Sequence, residues 1–182
     1  VDLGSRVVFR LFMAGYPFVM TELDKPLFVR RTVSFGDAIF AEKGSVTIEN
    51  ITSRKIEASS ALWLALQAHE IPILRDSFDD WQSLHPNVVV DARVAKRNID
   101  TKITDAPLVI ALGPGFVATE DCHAVIETNR GHCLGRVIWR GSAEPNTSTP
   151  GNVMGKGQSR VLRALCDGFV IPHAEIGDLI DE

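Results

Sequence analysis

Residues 122 to 133 read CHAVIETNRGHC, placing two thiols and two imidazoles within twelve residues. These are zinc-ligand types, but their spacing does not suit a zinc centre. Cys122 and His123 are adjacent, as are His132 and Cys133, and adjacent residues of a strand point to opposite faces. No C-x-x-C or H-x-x-x-H spacing accompanies them. A turn at TNRG, where Asn and Gly tolerate positive φ, would set Glu127 roughly opposite His132 and leave the cysteines about five positions out of register. The expectation is two small thiols beside a turn, and no metal.

The polar residues between them suggest a different chemistry. Glu127, Thr128, Asn129, Arg130, His132 and Arg136 alternate with Gly131 and Gly135. Glycine lets a backbone approach a ligand closely, and a guanidinium grips phosphate or carboxylate as a fork. Two neighbouring stretches share this character. DARVAKRNIDTKITDAP carries Asp91, Lys96, Arg97, Thr101 and Asp105 after an apolar run, and the Gly113-Pro114-Gly115-Phe116 turn follows another. Arg30 and Arg31 form a further basic pair, read more simply as a solvated face.

These loops need strands to position them. In DLGSRVVFRLFMAG, Leu3, Val7, Leu11 and Ala14 recur at helical spacing, with Gly15 as C-cap. YPFVMTE follows as a strand ending in Glu22, so helix and strand read as the second half of a βαβ unit whose first strand and glycine loop would precede residue 1. VTIENITSRKI alternates as a hairpin or extended strand. SSALWLALQAHE is a helix capped by Ser59 or Ser60, and IPILRD is the strand after it. PNVVVDA and PLVIALGPG are continuous apolar runs, the pattern of strands buried on both faces. HAVIETN and LGRVIWRG are two more strands. The fold class is α/β, Rossmann-like, with a largely parallel sheet over 1–140. Residues 141–182 form a Gly/Pro-rich loop and a small, truncated β-rich tail.

Composition sets bounds. The 182 residues are 45% apolar and 23% charged, with a net charge of −4. That supports a full core and argues against a partner held by phosphate neutralisation, such as nucleic acid. No apolar run is long enough to span a membrane. Three cysteines without other secretory features lead us to expect no leader, reduced thiols and a cytoplasmic protein.

The blocks RRTVSFGDAIF, VVVDARVAKRNIDTKITDAPLVIALGPGF, AVIETNRGHCLGRVI, EPNTSTPG and RVLRA, in this order, resemble the accessory protein of the selenium-dependent molybdenum hydroxylase system. Related proteins serve in the maturation of xanthine dehydrogenase-type enzymes. The resemblance implies a Rossmann-like chain that binds or delivers the molybdenum cofactor, an anionic molybdopterin, to a molybdenum hydroxylase apoenzyme. On that view Lys96, Arg97, Arg130, His132 and Arg136 hold phosphate and pterin oxygens. Asp91, Asp105 and Glu127 accept from pterin nitrogens, Asn129 joins them, and Gly113, Gly115 and Phe116 form a wall. A homo-oligomer is compatible with the sequence. The second reading is an NAD(P)-dependent oxidoreductase using Glu22 on the ribose, although no G-x-G-x-x-G is present. The third is a docking scaffold without a small ligand.

Overall fold

The computed structural model describes residues 2–28, 30–75, 81–161, 164–168, 171, 173–174 and 177–179. It divides into two compact units, Val1–Pro145 and Asn146–Glu182.

The first unit begins with α1, Asp2–Met13. Its end is closed by hydrogen bonds from Gly15 N to Phe12 O and from Tyr16 N to Leu11 O, with Gly15 at φ 79°. This pair of bonds is the Schellman cap anticipated from the glycine. The face it buries differs from the one its apolar spacing picks out. Val8, Phe9 and Phe12 pack on the core of Phe35, Ala38, Ile51, Ile71 and Ile73, while Leu3 and Ala14 are exposed. The inward row starts at Ser5, which is buried and accepts the Phe35 N–H. A serine at the head of the row conceals it from a reading based on apolar residues.

The strands β1 (Met20–Glu22), β2 (Ser45–Ile48), β3 (Ile51–Lys55) and β4 (Ile71–Arg75) make one sheet in the order β1-β4-β3-β2. β2 and β3 are an antiparallel hairpin, whereas β4 runs parallel to both β1 and β3. The helix α2, Ser59–Gln67, links β3 to β4, so β3-α2-β4 is a true βαβ unit. Its N-cap is Ala58 with no side-chain bond, not Ser59 or Ser60. Leu62 and Ala65 pack inward with Ile56 and Leu74. Asp76, the last residue of the expected IPILRD strand, lies outside the described residues.

A second sheet holds β5 (Val88–Asp91), β6 (Leu108–Leu112), β7 (Ala124–Ile126) and β8 (Val137–Ile138), in that order. β5, β6 and β7 are parallel and β8 is antiparallel. The class is therefore α/β with mainly parallel pairing, but in two four-stranded sheets instead of one. The crossovers of the second sheet contain no α-helix. Residues 92–107 are polar and lack helical periodicity, so they cross as a loop with a short 3-10 turn at Ile103–Asp105. β5 is an edge strand with Val88 exposed, so its apolar run is not covered on both faces as expected.

The first unit continues past residue 140 because Gly141 pairs with Ala118 and Ala143 is buried in the second sheet's core. In the second unit, Thr149 N donates to Thr147 Oγ1, Val153 pairs with Lys156, and a 3-10 turn spans Gln158–Arg160. Beyond Arg160 the described residues of the expected β-rich tail form no strand, and residues 162–163, 169–170, 172, 175–176 and 180–182 lie outside the described residues.

Candidate functional site

Since β5, β6 and β7 are parallel, the loops that follow them leave from one edge of the sheet. Antiparallel β8 enters from the same edge. Open α/β sheets bind their ligands at this carboxyl edge. The three loops touch there. A Cβ on Gly113 would lie 2.6 Å from Thr128 Oγ1 and 3.5 Å from Val94 Cγ1, and one on Gly115 would overlap the Arg97 backbone. Both glycines have positive φ, 81° and 104°. Their lack of a side chain permits the convergence.

The first loop is built on Asp91, which ends β5 and is buried. Its carboxylate accepts from Arg93 N at 3.0 Å, from Arg93 Nη2 at 2.7 Å and from Thr101 Oγ1 at 2.6 Å. Burial pushes the Asp91 carboxyl up, but the Arg93 guanidinium, the Thr101 hydroxyl and the Arg93 N–H outweigh it and hold it below its ordinary value. Arg93 is correspondingly held above its own, and also donates to Asp100 at 2.6 Å. At the far end, Asn98 N donates to Gly115 O, while Asn98 Nδ2 donates to Thr101 O and Asp121 Oδ1. Between these anchors Lys96 and Arg97 are exposed, and neither forms an ion pair among the described residues.

The third loop is built on Glu127, just beyond β7 and buried. Its two carboxylate oxygens accept from Asn129 N and Glu144 N, each at 2.7 Å. Burial alone would raise this carboxyl. The N–H groups of Glu144, Asn129 and Thr128 reverse that and hold it below its ordinary value. Asn129 Nδ2 donates to the Glu144 carboxylate. Glu127 faces Arg136, not His132: Glu127 N donates to Arg136 O at 2.9 Å, and Gly135 N to Glu127 O. The hairpin loop runs from 128 to 135, longer than a tight turn at TNRG, and this moves the register. Arg130, His132 and Arg136 are exposed, with no ion pair among the described residues. His132, Cys133, Leu134, Gly135 and Arg136 line an open depression.

Several residues expected to meet a ligand have other tasks. Phe116 is buried among Val109, Ala111, Ala118, Cys122 and Val125, so its ring belongs to the core and not to a wall. Asp105 caps the 3-10 turn by accepting Lys102 N. Both carboxylate oxygens of Asp91 and of Glu127 accept hydrogen bonds from the protein. Arg93, Asn98, Asp121 and Glu144, which the sequence reading passed over, turn out to fix the loops. The D-x-R spacing at a strand end was the legible signal for Arg93, because an Asp commonly bonds the N–H two residues on.

The thiols and imidazoles are also engaged separately. Cys122 is buried in the core, and burial, with Asp121 nearby, pushes its thiol up. His123 Nδ1 accepts Val109 N at 2.9 Å. Cys133 is half-buried in the hairpin loop. No group of three metal-ligating side chains occurs among the described residues.

Elsewhere in the unit, Glu22 is buried, accepts Leu23 N, and sits against Gly36. It is poorly placed to reach a ribose. Arg31 pairs with Asp37 and lies over the Phe40 ring. No described helix is long and apolar enough to cross a membrane.

Compared with curated proteins, the chain is 44% identical over 182 residues to "Uncharacterized protein YqeB" of Escherichia coli (strain K12). The match covers 100% of this chain and 33% of that relative, so the chain spans about a third of the relative's length. No family model and no solved structure matches the chain.

Proposed function

We propose that the chain belongs to a cytoplasmic accessory protein that binds an anionic molybdopterin-type cofactor for a selenium-dependent molybdenum hydroxylase. The carboxyl edge of β5, β6 and β7 is its binding face. One observation carries this reading. Lys96, Arg97, Arg130 and Arg136 lie on loops from that edge, all exposed and without an acid partner among the described residues, while buried Asp91 pairs with Arg93 and buried Glu127 is held by backbone N–H groups. Uncompensated cations on braced loops suit a phosphate better than a neutral ligand.

The residues fit the cofactor in part. Exposed guanidinium groups suit its phosphate end, whereas Gly113 and Gly115 pack against Thr128 and the Arg97 backbone. Asp91 and Glu127 suit its pterin nitrogens poorly, since both are buried with their oxygens accepting from the protein, and Asp105 Oδ2 is held by Lys102 N. The pterin ring would instead meet Asn129, His132 or backbone groups of the 127–136 loop. The dinucleotide reading is weakened by the burial of Glu22.

Equilibrium titration of the full chain with molybdenum cofactor and, separately, with NAD discriminates the two. Binding of the cofactor with no binding of NAD supports the proposal; the reverse rejects it. Capture of the hydroxylase with neither ligand bound would favour the scaffold.

A further inference from the structure

The turn at 94–97 differs from the other charged loops in how its backbone is disposed. Val94 has φ 52° and Lys96 φ 66°, while Ala95 and Arg97 between and after them do not have positive φ. Alternation of left-handed and ordinary residues turns successive N–H groups toward one side and makes a concavity that accepts anions. Among the described residues, the N–H groups of Val94, Ala95, Lys96 and Arg97 donate to no acceptor. The flanking residues, in contrast, are tied down: Arg93 N to Asp91, Asn98 N to Gly115 O, and Thr101 N to Asn98 Oδ1. Val94 is β-branched, the residue type least suited to a left-handed backbone, and a pinned loop can hold it there.

The electrostatics agree. Of the acids around the turn, Asp91 and Asp100 pair with Arg93, whereas Asp105 accepts Lys102 N and Asp121 accepts Val117 N and Asn98 Nδ2. Lys96 and Arg97 add two exposed cationic side chains that have no ion-pair partner among the described residues.

We propose that the backbone amides of residues 94–97 seat a phosphate group, with the Lys96 and Arg97 side chains as auxiliary charges. The proposal rests on the carboxyl edge being a ligand face, but not on which phosphorylated ligand occupies it. A phosphate dianion matches a cluster of N–H donors because its terminal oxygens each accept several bonds. Arg130 would then contact another part of the ligand.

The test is a two-dimensional amide NMR titration of the full chain with inorganic phosphate and, in a second arm, methyl phosphate, at constant ionic strength. The expected result is saturable shifts at Val94, Ala95, Lys96 and Arg97. In Lys96→Gly, which keeps the N–H and tolerates the positive φ, the shifts should persist with affinity reduced by less than about tenfold for one auxiliary contact. Saturation by methyl phosphate alone would assign the seat to an ester, and by both to phosphate in general. Shifts confined to 130–136, their complete loss in Lys96→Gly, or no shifts in either arm would overturn the proposal. Cofactor binding with phosphate shifts only at 130–136 would reject this seat and leave the cofactor reading standing. Phosphate binding at 94–97 without cofactor binding would do the opposite.

Discussion

Gly115 and Arg97 are in backbone contact: a Cβ on Gly115 would fall 2.5 Å from Arg97 N and overlap its Cα. Gly115→Ala therefore has to separate two loops as well as adopt φ 104°. We expect it to lower stability by about 2 kcal/mol or more, from the left-handed strain plus the overlap. Denaturant unfolding of the pair of proteins checks this. Equal midpoints would mean that the loops do not touch.

The Asp91–Arg93 pair gives a pH dependence. The folded Asp91 and Glu127 carboxyls are both held below their ordinary values. A depressed carboxyl stabilises the fold fully above its unfolded pKa, about 4, and that contribution disappears as pH falls through the lower folded value. Stability should therefore drop below about pH 4, and less steeply in Asp91→Asn or Glu127→Gln. Arg93→Ala at neutral pH should cost about 2–3 kcal/mol, since it leaves a buried carboxylate short of its main partner. Melting curves from about pH 3 to about pH 7, across the carboxylate range, provide the measurement, and a flat profile would contradict the assignment.

The three thiols should separate by reactivity. Cys122 is buried with its thiol pushed up, Cys133 is half-buried and Cys166 is exposed. Alkylation of the native chain, followed by peptide mass spectrometry, should label Cys166 first and spare Cys122, because only the accessible thiolate reacts. Early labelling of Cys122 would remove it from the core.

Arg130 is exposed and has no ion partner among the described residues. Arg130→Ala should change stability by no more than about 0.5 kcal/mol, as for other surface changes. If Arg130 clamps an anion as a fork, both Arg130→Ala and Arg130→Lys should weaken ligand binding by roughly 1.5–3 kcal/mol. Full rescue by lysine would indicate a point charge.

The elements were legible in the sequence wherever period and punctuation agreed: α1 with Gly15 and the apolar runs of β4 and β6, while the β2–β3 segment read equally as a hairpin or one extended strand. The buried face of α1 was not, because Ser5 heads it. The count of sheets was not, because a strand carries no mark of which neighbour it pairs with. At the site, the three loops were identifiable from charge and glycine after strand ends. Which charges are available to a ligand was not, since Asp91 and Glu127 look alike in sequence whether they face a ligand or a backbone N–H. Their engagement depends on Arg93 and on Glu144, the latter seventeen residues away from Glu127.

The most direct measurement is cofactor affinity in the full chain beside a Lys96→Met, Arg97→Met, Arg130→Met variant. All three side chains are exposed and unpaired among the described residues, so the variant should fold normally. Molybdenum cofactor should bind the unaltered chain and bind the variant at least about a hundredfold more weakly, the sum of several lost charged contacts. Equal affinity in the two proteins, with melting temperatures unchanged, would contradict a ligand face at the carboxyl edge of β5, β6 and β7.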